Sequence, residues 1–170
     1  MCAALSVLLS VAAAGSVTAQ RIAYDERTPR INPKKCKWLD DRIPMESDFV
    51  YIGFIYSRSH TCLEFCYGIG QQLERMEHPP QVILVTREPA DMIDSHLREC
   101  IGERVGTIID ESGRIFRAFG VRYVPFGVLV DGRRRALWFG NPLTGDRDLF
   151  RNMPRKEFKE TKKRKKTRNI

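Results

Sequence analysis

The sequence predicts an α/β domain with a central four- to five-stranded mixed sheet flanked by helices. Three observations carry that expectation. Asp48 to Ser57 is a nearly continuous β-branched and aromatic run, Thr61 to Met76 changes to helical spacing, and Gln81 to Thr86 is again a short apolar run. An unbroken apolar run of strand length marks a strand buried on both faces. Strand, helix and strand in succession mark a parallel pair joined by a right-handed crossover.

In chain order, residues 1–19 carry no charged side chain, with an apolar run from Ala3 to Ala14 and small residues at Val17-Thr-Ala19. They read as a secretory signal peptide cleaved after Ala19, which predicts a secreted or periplasmic protein. An uncleaved membrane anchor, an organellar targeting segment and an ordinary N-terminus are the alternatives. Residues 20–47 are rich in Arg, Lys, Asp and Pro, and read as an extended lead-in fastened through Cys36 and Trp38. The domain proper is expected over 48–153.

Within it, Phe65, Cys66, Ile69, Leu73 and Met76 form one apolar stripe of a helix, opposite Glu64, Gln71, Glu74 and Arg75. His78-Pro-Pro80 ends that helix. Pro89 to Cys100 carries helical spacing through Met92, Ile93, His96 and Leu97. Val105 to Asp110 is a short apolar segment, and Ile115 to Gly120 a brief helix closed by glycine. Asp131-Gly132, between Val128–Val130 and Ala136–Phe139, predicts a two-residue hairpin turn with positive φ at both positions. Arg133 to Arg135 then read as a solvated strand start, and Pro125 stands before the hairpin, where a proline need not donate to a ladder.

The net charge of +8 suggests nucleic acid until it is located: residues 154–170 hold nine Lys/Arg against two Glu, +7, leaving +1 for the other 153 residues. No specific nucleic-acid site is expected in the body. The tail has too little apolar surface to offset the entropy of ordering it and reads as disordered. Lys162 to Lys166 would serve as an anionic-membrane contact, a nuclear address, a nucleic-acid contact or a solvated solubility tail.

The stretch Asp110-Glu-Ser-Gly-Arg-Ile-Phe-Arg-Ala-Phe-Gly-Val-Arg-Tyr-Val-Pro125, placed after strand, cysteine-bearing turn, helix, strand and helix, resembles the thioredoxin superfamily. The likeness is to its exported TlpA/ResA-type branch, with peroxiredoxins as cousins, and covers residues 48 to 150. It implies a cis peptide at Val124-Pro125 facing the active-site turn, with the Val124 backbone as an edge for a bound thiol or peptide. It also exposes a departure. Counting from Phe54, the family's C-x-x-C falls on Ser59-His-Thr-Cys62, so the attacking thiol is replaced by a hydroxyl. A serine cannot form a mixed disulfide, but it can cap a helix.

Two functions from different classes follow. The first is a monothiol or degenerate thiol-disulfide oxidoreductase acting through Cys62, with Ser59 in the altered motif and Cys66 or Cys100 as resolving partner. The second is a redox-inactive binding module that takes a protein thiol or protein partner at the Ser59/Pro125 surface. Peroxiredoxins use a related T-x-x-C, but their upstream proline is missing here. Cys62 and Cys66 also resemble the C-x-x-x-C of copper-delivering Sco proteins, with His60 or His96 as a third ligand. The Sco histidine, however, corresponds to the neighbourhood of Pro125, and Cys66 lies on the core stripe. No cofactor is expected, and metal binding is the minor reading. With the leader removed, Cys36, Cys62, Cys66 and Cys100 remain, and they permit three disulfide connectivities in an oxidising compartment or free thiols in a reducing one.

Overall fold

The computed structural model describes residues 28–41, 43, 44, 46–100, 105–144 and 150. The expected leader and basic tail lie outside them. Five strands form one sheet: β1 (Phe49–Phe54), β2 (Gln81–Thr86), β3 (Val105–Ile109), β4 (Phe126–Asp131) and β5 (Ala136–Gly140), in the order β3-β2-β1-β4-β5. β1 to β3 run parallel, and β4 and β5 are antiparallel additions on the other side of β1. The helices are α1 (His60–Glu74), α2 (Ser95–Cys100) and α3 (Arg114–Ala118). Among the described residues no helix is long and apolar enough to cross a membrane.

The alternation of a strand divides the core into two layers. Tyr51 and Ile55 of the β1 region, with Val82, Leu84 and Leu129, face Cys62, Phe65, Cys66, Ile69 and Leu73 of α1 and Leu97 of α2. Ile52, Phe54, Ile83, Val85, Phe126 and Val128 face the other way, against Phe116 and Phe119. Burial on both faces is why β1 and β2 read as continuous apolar runs.

Several local expectations change. The lead-in is not simply extended: it contains 3₁₀ turns at Pro33–Lys35 and Leu39–Asp41. Between them Trp38 bridges Ile108 and buries its ring in the second layer, so the exposed edge of β3 is covered. The helix expected over Pro89–Cys100 divides into a 3₁₀ turn at Ala90–Met92 and the short α2. Ile93 is extended, and the Asp94 side chain then accepts the His96 amide at 2.9 Å, restarting the helix. Met92 is consequently exposed rather than packed.

The hairpin joins β4 to β5 by a longer turn than the Asp131-Gly132 signal implied. Asp131 Oδ1 accepts both the Arg133 and Arg135 amides at 2.9 Å, and Arg134 rather than Gly132 takes positive φ, 64°. The aspartate side chain thus adds to the backbone bonds of the turn, in which Asp131 N–H donates to the Arg135 carbonyl at 3.1 Å and Arg134 N–H to the Asp131 carbonyl at 2.8 Å. Arg133 to Arg135 build this turn, and Arg135 pairs with Asp131 at 2.7 Å.

Tyr51 is fully buried, and its hydroxyl has no hydrogen-bond partner among the described residues. The ring lies so close over Gly127 that a Cβ there would fall inside the phenol. Burial holds the phenol in its neutral form by pushing its pKa well above the usual value. Because an unpaired buried hydroxyl is destabilising, Tyr51→Phe is expected to raise stability by about 1 kcal/mol in urea denaturation. A loss of that size would mean the hydroxyl has a partner.

Candidate functional site

The C-terminal ends of β1, β2 and β3 all emerge on one side of the sheet, as parallel pairing requires, and ligand sites of open α/β sheets concentrate there. β1 passes into α1 through Ile55 to Ser59. Ser59 is the N-cap of α1: its backbone is extended (φ −91°, ψ 115°) and its Oγ accepts the Cys62 amide at 3.4 Å. The Ser59 hydroxyl therefore satisfies an amide that has no partner within the helix.

Antiparallel pairing of Phe54 with Phe126 sets Val124 and Pro125 beside the segment leading into α1. Their peptide is cis. Val124 packs against both core layers, one of which contains Cys62. Among the described residues neither the amide nor the carbonyl of Val124 has a backbone partner. Ser59, Val124 and Pro125 thus share one end of the fold.

Cys62 lies in the first turn of α1 with 0% exposure, and Cys66, one turn on, is 1% exposed. Both belong to the α1 layer of the core. Cys36, Cys62 and Cys66 carry thiols, and the structure forms no disulfide among these three. Cys36 lies apart, in the lead-in, where burial pushes its thiol pKa up against the opposing effect of Arg114. The side chain of Cys100 lies outside the described atoms.

The histidines do not join the thiols. The His60 side chain is 86% exposed and faces Glu64 at 3.7 Å, while that of His96 is 72% exposed and 2.7 Å from Asp94. The side-chain hydrogen bond to Asp94 raises the pKa of His96, and the His96 amide, then its ring, lowers that of Asp94. Among the described residues no group of three His, Cys, Asp or Glu side chains could hold a metal ion. The chemistry of the donors is right for Cu(I), but the buried thiols and exposed imidazoles are not assembled into a third-ligand site.

Sequence reasoning passed over Glu88. Its carboxylate accepts the Ser57 amide at 2.6 Å, the Ser57 hydroxyl at 3.0 Å and the Thr86 hydroxyl at 2.9 Å. Ser57 Oγ in turn accepts the Asp94 amide at 2.9 Å. Ser57 and Thr86 are fully buried. Glu88 therefore ties the ends of β1 and β2 to the start of α2, directly below the turn that carries Ser59. Only a polar Ser57 at the end of an otherwise apolar run signalled it.

No family model matches the chain, and no curated protein does. Solved structures do. A thioredoxin-like protein from Aeropyrum pernix is 15% identical at a TM-score of 0.53, covering 64% of this chain and 75% of that one. A secreted Mycobacterium tuberculosis disulfide oxidoreductase homologous to E. coli DsbE is 14% identical at 0.51, covering 61% and 77%. MTB dsbF, solved in mixed oxidized and reduced forms, is 15% identical at 0.52, covering 62% and 81%. At this identity the likeness establishes the fold, which is thioredoxin-like.

Glu88→Ala would leave two buried hydroxyls without their acceptor, and is expected to destabilise the protein by about 2 kcal/mol. Urea denaturation measures it; a change below about 0.5 kcal/mol would remove Glu88 from the architecture of the site.

Proposed function

We propose that this chain is a thioredoxin-fold binding module that docks an extended segment of a protein partner at the Ser59/Pro125 end, without thiol-disulfide exchange. The observation that carries the reading is Ser59. Exchange requires an accessible thiolate at the attacking position, which the family resemblance puts at Ser59, and the Ser59 side chain is a helix-capping hydroxyl. The thiol that remains in the motif, Cys62, has no exposed surface. A single-thiol reaction through Cys62 would need the first turn of α1 to open.

Binding requires less. The backbone of Val124, without a backbone partner among the described residues, offers an edge to which an extended chain can add, with main-chain hydrogen bonds supplying affinity. The setting proposed is extracytoplasmic, on the strength of residues 1–19. The basic tail is proposed as a contact to an anionic surface rather than to a specific nucleic acid.

Turnover of insulin disulfides by dithiothreitol, with the full chain beside Ser59→Cys, tests this. The parent is expected to add nothing to the uncatalysed rate, and the variant, with C-x-x-C restored, to accelerate it. Equal acceleration by both would contradict a redox-inactive parent.

A further inference from the structure

At the C-terminal rim of the sheet two arginines meet with no carboxylate partner among the described residues. Arg87 follows β2, and Arg117 lies on α3 after β3. Both guanidiniums converge on Gly113: Arg87 Nε is 3.0 Å and Arg117 Nη1 3.2 Å from the point where a Cβ of Gly113 would stand. Arg117 donates to the Ser112 carbonyl at 2.8 Å, and Arg87 makes no hydrogen bond or ion pair among the described residues. Neither has a carboxylate partner among those residues.

Three carboxylates close in sequence to these arginines are engaged elsewhere, and Asp91 forms no ion pair with either among the described residues. Glu88 holds Ser57 and Thr86. Asp110 accepts the Ile115 and Phe116 amides at 2.8 and 3.0 Å, capping α3. Glu111 pairs with Lys37 at 3.0 Å. Two like charges brought together with no internal counter-charge are unfavourable unless an anion from outside joins them.

Three side chains give the same rim an apolar component. Tyr56 stacks on Phe116 with centroids 6.5 Å apart, yet is 38% exposed. Tyr123, just before Val124, is 49% exposed, and Met92 is 45% exposed.

We infer that the partner segment docked at Val124 is acidic, and that a carboxylate side chain of that segment binds between Arg87 and Arg117. The inference rests on the docking reading above and adds the chemistry of the partner. Strand order β3-β2-β1-β4 sets the geometry. From the Val124 edge to the Gly113 loop is three strand spacings, roughly 14 Å, which an extended chain crosses in about four residues. The acidic residue therefore lies about four positions from the residue paired at Val124, and apolar side chains between them meet Tyr56 and Tyr123.

Two fluorescein-labelled ten-residue peptides test this by anisotropy with the full chain: alternating Thr and Val followed by Glu-Glu, and the same peptide with Gln-Gln. The Glu peptide is expected to bind about tenfold more tightly, the advantage of a charge-assisted contact. The double variant Arg87→Gln, Arg117→Gln should remove that advantage and leave the Gln peptide unaffected. If the double variant misfolds, Arg87→Gln alone, which breaks no bond among the described residues, should reduce it. Equal binding of the two peptides by the parent, or an advantage that survives these substitutions, overturns the acidic partner while leaving docking at Val124 intact. Failure of both peptides to bind overturns the docking reading as well, and binding to phosphatidylserine vesicles but to neither peptide does the same.

Discussion

The amide hydrogen bonds at the start of α1 fix the junction between β1 and α1. A helix that follows directly from a central strand presents unpaired N–H groups beside the turn, and some acceptor must meet them. In this chain the acceptor is Ser59 Oγ, at 3.4 Å from the Cys62 nitrogen. The hydroxyl that stabilises the helix is held in that bond at the turn between β1 and α1. The arrangement of α1, its buried cysteine stripe and the adjacent Val124 edge all depend on that junction.

Beneath the junction lies the Glu88 network. Ser57, Thr86 and the Asp94 amide are bound into one carboxylate-centred cluster that joins β1, β2 and α2. Such a cluster fixes the turn without offering it a reacting group. The rim above is consequently firm in its backbone and varied in its exposed side chains: arginines, tyrosines and Met92.

The fold was legible because burial on both faces leaves continuous apolar runs at β1 and β2, and because Phe65, Cys66, Ile69 and Leu73 repeat at helical spacing. A hydroxyl cap at Ser59 or Thr61 was legible where helical spacing begins, and the structure places it at Ser59. What escaped was long-range or competitive. Glu88 meets Ser57 across 31 residues, with no local motif to announce it. Arg87 and Arg117 meet only because two crossover loops emerge side by side. At the hairpin, the Asp131 side chain outcompeted the turn its own dipeptide favours, and Ile93 interrupted a helical pattern that Met92 appeared in spacing alone to continue. The Cys62–Cys66 spacing placed both on one face, but the same spacing serves a metal pair and a core stripe, and only burial distinguishes them.

The central claim is that the Cys62 thiol, in the first turn of α1, is a core residue. Its direct test is the order of alkylation of the native protein by iodoacetamide at neutral pH, followed by mass spectrometry of each cysteine peptide. Cys36, partly exposed, is expected to label in the native state, and Cys62 only after denaturation. Labelling of Cys62 ahead of Cys36 in the native protein would contradict the account and return the site to thiol chemistry.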